Sequence, residues 1–249
     1  MTEISIKAER LFYLGFLPIT NSMLASWLAV LVLVILGIII RFNIKPIPSF
    51  IQNAAEFVIE YFLNLMEDIY QSREKAKKVL PWVATFFLFI LFSNWMGLLP
   101  GFGSIGIYKI ENGHELFLPF FRSANADLNN TLALAIISII ITQIFGIIAA
   151  GFFRYSKRFI NLKGLINSFV GILEFFSEII KIVSFSFRLF GNIFAGEILL
   201  LIISFLMPYL APLPFYFLEI FVGFIQALVF TMLTIVFIRL AFSMAEEGH

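Results

Sequence analysis

Residues 164–206 run for 43 positions in which the only ionisable side chains are Glu174, Glu178, Lys181, Arg188 and Glu197. A helix that is apolar on nearly every side needs lipid or protein around it, not water. Drawn as one helix, the run is roughly 64 Å long, about twice the ~30 Å hydrocarbon core of a bilayer. It must tilt steeply, bend, or begin outside the lipid. Met207 to Pro214 holds three prolines and makes a turn. Residues 215–243 then form a second overlong helix of roughly 43 Å. Two such helices joined by a tight turn make a slanted hairpin.

The remainder has the same character. The chain is 61% apolar and 13% charged, where soluble domains hold about 45–50% and 25%. Residues 22–40, closed by Arg41 and Lys45, are long enough for one crossing. Residues 81–99 give another, with Pro81 as the expected helix start and Leu98-Leu99-Pro100 as its stop, and residues 132–153 a third. Residues 1–21 form an outer N-terminal segment, polar over Met1 to Arg10, and 101–131 a loop containing Gly, Asn and charge. In 49–72, Ile51, Ala54, Ala55, Val58, Ile59, Phe62, Leu63, Met66, Ile69 and Tyr70 recur at helical spacing. Gln52, Asn53, Glu56, Glu60, Asn64, Glu67, Asp68 and Gln71 fill the other face. That pattern predicts a helix lying flat in the interface, or one packed on a soluble partner. The expected fold class is an all-α polytopic membrane protein: about five membrane-embedded helices plus one interfacial amphipathic helix, forming a single membrane domain over 1–249.

Basic residues set the orientation. Six lie in 41–78 and four in 154–163, against Lys7, Arg10, Lys109 and Arg122 on the other side. Ten against four places 41–78 and 154–163 inside. Five crossings then put the N-terminus outside and the C-terminus inside. Met1 to Arg10 lacks the basic and apolar regions of a cleaved signal peptide. Cysteine is absent, which excludes disulfides, thiolate metal sites and a Cys nucleophile.

Arg188 is the most informative residue. A cation at the centre of a membrane helix costs about 2.5–3.5 kcal/mol on insertion scales. Either it is paired inside the chain for helix packing, or it faces an aqueous or protein path. Its pKa stays above about 12, so it relays no proton, but it can hold a passing carboxylate ionised. Glu197 and Glu219 flank the turn and, if the hairpin closes, both sit at the outer side. Gln226 is two turns beyond Glu219 on nearly the same face. This column is either a proton-exchanging path, with Gln226 orienting water, or a set of interhelical hydrogen bonds. Glu174, Glu178 and Lys181 lie toward the inner start of the long helix, where Glu178 and Lys181 have the spacing of an ion pair. Asn192 shares the face of Arg188. Asn94, Asp127, Asn129 and Thr131 stand near the outer loop, and Asp127 is either a helix cap or part of a channel mouth.

Three patterns carry no function. Gly101-Phe-Gly-Ser-Ile-Gly106 fits a dinucleotide fingerprint but follows a membrane helix rather than a strand. Asn129-Asn-Thr131 is a glycosylation sequon of a kind common by chance. His114 and His249 are too far apart in sequence to suggest a metal pair, and no P-loop is present. A secondary transporter would show internal repeats and discontinuous helices, which are missing. A bare scaffold would not need five ionisable groups on one helix.

Ser186-Phe-Arg-Leu-Phe-Gly-Asn-Ile-Phe-Ala-Gly-Glu197 resembles the signature of the F-type ATP synthase a subunit family. Leu173-Glu174, Lys181, Glu219, Gln226-Ala227, Thr231–Val236, Asn94–Pro100 and Ala126–Thr131 match other family blocks, so the resemblance runs from about residue 27 to 243. It implies that Arg188 faces a rotor ring of c subunits. Glu197, Glu219 and Gln226 would line a half-channel open to the outside, with Asn94, Asp127 and Asn129 near its mouth. Glu174 would line the inner half-channel, and Asn192 would stand beside Arg188. Two departures concern the path: Glu at 219, where the family varies between Glu and His, and Gly97, where some members carry Asp. The implied partners are the c ring, the b subunits of the peripheral stalk and the rest of the ATP synthase. No cofactor and no metal are expected. The acidic ending Glu246-Glu-Gly-His249 and the long N-terminus look more bacterial or plastid-like than mitochondrial, and a bacterial inner (plasma) membrane is expected ahead of an organellar inner or thylakoid one.

Overall fold

The structure, a computed structural model, describes residues 8–15, 17–111, 114–156 and 165–246. Two short antiparallel hairpins and seven α-helices make up the described chain. The first hairpin pairs β1 (Arg10–Leu14) with β2 (Leu17–Thr20). The helices α1 (Asn21–Phe42), α2 (Phe50–Tyr70) and α3 (Arg73–Gly97) follow. The second hairpin pairs β3 (Gly106–Glu111) with β4 (His114–Pro119). A short 3-10 turn at Ala124–Ala126 leads into α4 (Leu128–Ala150). The short α5 (Phe152–Ser156) precedes the long pair α6 (Leu165–Leu206) and α7 (Pro212–Glu246). Five of these helices are long and apolar enough to cross a membrane: α1, α3, α4, α6 and α7. The chain is an all-α polytopic membrane protein.

Local chemistry sets the boundaries. The Thr20 hydroxyl accepts the Met23 N–H at 3.4 Å and starts α1. Gln71 takes the left-handed conformation, φ 53°, and breaks α2 from α3. Ser72 then accepts the Lys75 N–H at 3.4 Å and starts α3 eight residues before Pro81. Pro81 therefore lies inside α3 rather than at its start. Its carbonyl accepts the Thr85 hydroxyl at 2.7 Å, a bond from one turn further along the helix. Both hairpins fall in segments whose sequence reads as loop, because their strands are short and lack clean alternation.

The core sits where α3, α4, α6 and α7 meet. Phe86 and Ile90 of α3, Leu134 and Phe145 of α4, Phe185 and Leu189 of α6, and Phe230 and Ile235 of α7 belong to one buried cluster. Hydroxyl pairs tie the helices at depth: Ser138 to Thr234 at 2.8 Å and Thr131 to Ser186 at 3.1 Å. Such pairs suit helices in lipid, where apolar burial alone does not drive association. The C-terminal half of α2 joins this core. Phe62 packs edge-on against Phe87, and the Tyr70 hydroxyl donates to the Ile235 carbonyl at 3.2 Å. Gln52, on the expected polar face of α2, is buried instead. Its amide bonds both the N–H and the C=O of Lys45 at 3.1 Å, which fastens the loop after α1. Lys7, Lys157, Arg158, Lys163 and the ending 247–249 lie outside the described residues.

Candidate functional site

The turn between α6 and α7 brings Glu197 and Glu219 to one cavity of about 290 Å³. Asn94, Ser123, Ser204 and Tyr216 also line it. Glycine at 196 decides how close the two helices come. A side chain there would land on the Glu219 carboxyl group, which packs directly on the α6 backbone. Glu219 is 6% exposed and has no hydrogen-bond partner among the described residues. The Ser123 hydroxyl is likewise buried without one. A buried ionisable group with no partner among the described residues, opening on a cavity that Asn94, Ser123 and Ser204 also line, is arranged to bond water.

Glu197 is held differently. Arg122, from the segment after β4, reaches across so that its Nε lies 3.4 Å from a Glu197 carboxylate oxygen. The Arg122 side chain is 12% exposed and its guanidinium stands 5.7 Å from the Phe194 ring centre. Asn94, buried at the end of α3, anchors the opposite wall. It donates to the Gly223 carbonyl at 3.0 Å and accepts from Asn125 at 2.7 Å. Asn125 accepts in turn from Asn130 at 3.0 Å, and Asn130 from Ser26 at 3.4 Å. This chain of amides crosses from α1 to α7. Gly97 leaves room for Ser123, whose Cβ would stand only 2.6 Å from a side chain at 97. An acid at that position would require the Ser123 loop to move.

Three of the outer residues singled out from sequence, Glu197, Glu219 and Asn94, line the cavity together. Gln226 sits two turns further along α7, partly buried and bonded to no described residue. Asp127 is the cap of α4: it accepts the Asn129 N–H at 3.0 Å and the Ser22 hydroxyl at 2.6 Å. Asn129 is exposed beside it and donates to Asp127 at 3.1 Å. Neither lines the cavity.

Arg188 stands on the opposite side of α6 from the core. Phe185, Leu189, Ile193 and Gly196 are buried, whereas Ser184, Arg188, Asn192 and Ala195 are exposed. Arg188 makes no ion pair or hydrogen bond with any described residue. It lies nine positions, about 13.5 Å of helix, from Glu197. Toward the other end, Glu174 is half-buried. Lys181 Nζ donates to the Glu178 carboxylate at 2.8 Å and lies 4.7 Å from the Phe237 ring centre. Among the described residues no group of His, Asp and Glu could hold a metal ion.

Sequence reading missed Arg122, Ser123 and Asn125. Arg122 counted only as an outer charge, and nothing in the periodicity of a loop says that it turns inward. The run of amides from Asn125 to Asn130 was the one signal available.

Comparison with known proteins agrees along almost the whole chain. The family model described as ATP synthase A chain matches residues 23–239. The protein named ATP synthase subunit a from Campylobacter jejuni (strain RM1221) is 36% identical over 222 residues, 89% of this chain and 89% of its own. The one from Moorella thermoacetica is 32% identical over 234 residues, covering 94% and 95%. The one from Syntrophobacter fumaroxidans is 35% identical over 213 residues, covering 85% and 80%.

Proposed function

Since the chain belongs to the ATP synthase A chain family, we propose that it conducts protons through two offset half-channels to and from carboxylates on a ring of c subunits. The proposed site is Arg188 facing the ring, with Glu197, Glu219, Gln226 and Asn94 lining the outer half-channel. Asp127 and Asn129 fix the loop at its mouth. Glu174 lines the inner half-channel and Asn192 flanks Arg188. The b subunits of the peripheral stalk complete the stator. The host is a bacterial inner membrane, with the N-terminus and the central loop outside.

The observation that carries this reading is the isolation of Arg188. A permanent cation on a membrane helix needs a counter-charge or water, and among the described residues Arg188 has neither a carboxylate nor a hydrogen-bond partner. Its face is otherwise small and polar: Ser184, Gly191, Asn192 and Ala195. That shape suits a neighbouring helix passing close by with an acid of its own. The acid takes a proton from the cavity side and crosses lipid as a neutral carboxyl group, because a bare carboxylate there is costly. Arg188 then makes it release the proton on the other side. Each charge crossing 100 mV supplies about 2.3 kcal/mol toward rotation.

Arg188→Ala tests this in the intact complex. Proton-driven ATP synthesis should vanish while the complex assembles at normal levels. Undiminished synthesis by an assembled Arg188→Ala complex would overturn the reading.

A further inference from the structure

The segment that carries Arg122 to Glu197 places its next residue, Ser123, on the wall of the cavity that Glu219 also lines. Ser123 is 8% exposed, and its hydroxyl has no hydrogen-bond partner among the described residues. It lies against the end of α3. A Cβ at Gly97 would stand 2.9 Å from the Ser123 Oγ and 2.6 Å from its Cβ, so only glycine leaves it this place. The same end of α3 is fastened to α7 beside Glu219. Trp95 Nε1 donates to the Ile220 carbonyl at 3.0 Å, and Asn94 to the Gly223 carbonyl at 3.0 Å. One turn of α3 therefore holds both the Ser123 side chain and the backbone next to Glu219. Glu219 is buried and, like Ser123, bonded to no described residue. Their shared cavity of about 290 Å³ is far larger than the ~10–15 Å³ that one water needs. Buried polar groups are bonded in the great majority of cases, and a water between these two satisfies both. The other ionisable groups on the cavity wall are Glu197 and Tyr216, and Arg122 pairs with Glu197.

We propose that Ser123 is a positioning residue for Glu219: its hydroxyl holds the water through which Glu219 takes up protons from the cavity. This rests on the half-channel reading above. The Ser123 O–H donates to the water oxygen, which leaves both water protons free. One water O–H bond breaks as its proton joins the Glu219 carboxylate, and the water regains a proton from the next water outward. Ser123 keeps its own proton, so the net change is one proton moved from outer water to Glu219. Two successive residues of one segment thus divide the acids between them. Arg122 meets Glu197 directly, and Ser123 serves Glu219 through solvent. Gly97 belongs to the same arrangement, since a side chain there would displace Ser123.

The test uses the whole ATP synthase in proteoliposomes, with synthesis rates read against the pH on the central-loop side and normalised to assembled complex. Ser123→Ala removes only the hydroxyl oxygen. Synthesis should fall by about three- to tenfold where protons are scarce, the worth of one hydrogen bond. Rates should converge on wild type as that side is acidified and proton delivery ceases to limit. Ser123→Thr keeps a hydroxyl and should recover most of the rate. Ser123→Cys keeps the size but bonds water weakly; it should follow Ser123→Ala, and it replaces that variant if the alanine complex does not assemble. An alanine profile that superimposes on wild type at every pH would overturn the proposal. So would one lowered by the same factor at every pH, the mark of a merely structural residue, and so would failure of both variants to assemble. Arg188→Ala in parallel separates the two readings. If it still makes ATP, the half-channel reading has failed; if it does not, a null Ser123→Ala result counts against Ser123 alone.

Discussion

Gly196→Ala is the sharpest test of how α6 and α7 meet. The added methyl would occupy the place of the Glu219 carboxyl group, so either that group leaves or the helices separate. Adding a methyl to a packed site typically costs about 1–3 kcal/mol. If the whole cost fell on the working geometry, synthesis would drop by about 5- to 150-fold, since 1.36 kcal/mol is a factor of ten. The assay is synthesis after an acid–base jump in proteoliposomes, with complex content measured separately. Glu219→Asp draws the carboxyl group back by one methylene. The Gly196→Ala/Glu219→Asp double variant should therefore be faster than the product of the single effects allows, a coupling that a double-mutant cycle reads directly. Wild-type rates for Gly196→Ala alone, or strictly additive effects in the cycle, would refute the contact.

The remaining predictions follow from buried polar bonds. Asp127→Ala should lower assembled complex through loss of a helix cap, about 0.5–2 kcal/mol; Asp127→Asn keeps the acceptor and should assemble and synthesise normally, measured by complex yield and rate. Asn125→Leu leaves Asn94 and Asn130 without their shared partner and should destabilise the detergent-solubilised complex by about 1–3 kcal/mol, read as a lower unfolding temperature. Tyr70→Phe removes a bond to the Ile235 carbonyl and should cost about 0.5–1.5 kcal/mol in the same measurement, with synthesis unchanged once assembled.

The helices were legible because lipid imposes a length and an apolar composition that local sequence cannot hide. The long runs at 164–206 and 215–243 answer to α6 and α7, which span Leu165–Leu206 and Pro212–Glu246. Boundaries were less legible where a single cap outweighed a proline, as Ser72 does over Pro81. The hairpins were not legible, because two strands of four to six residues give no usable period. Within the site, Glu197, Glu219 and Arg188 were visible as charges where charge is expensive. Arg122 was not, since a charge in a polar loop is ordinary until the fold turns it inward. Gln52 shows the converse: a polar residue on a polar face can still be buried when a loop backbone needs its amide.

The two cations of α6 offer a last contrast, because they sit seven positions apart on nearly the same face yet are treated in opposite ways. Lys181 is neutralised within the chain by Glu178 and lies against Phe237; its side chain is 20% exposed and that of Glu178 11%. Removing one partner of a buried pair leaves a charge uncompensated and typically costs about 3–5 kcal/mol, whereas replacing both with apolar groups is often neutral. Lys181→Met should therefore lose assembled complex, at the lower end of that range because the pair is not fully buried. Glu178→Leu/Lys181→Met should recover both assembly and synthesis. If Arg188 answers to a carboxylate on a c subunit, as proposed, no second substitution in this chain should rescue Arg188→Ala. The measurement is complex yield and synthesis rate for the single, the double and a panel of Arg188→Ala double variants. A double variant at 178 and 181 that assembles fully yet makes no ATP would show that the pair conducts protons rather than holding the helices, and would move the inner path onto Glu178.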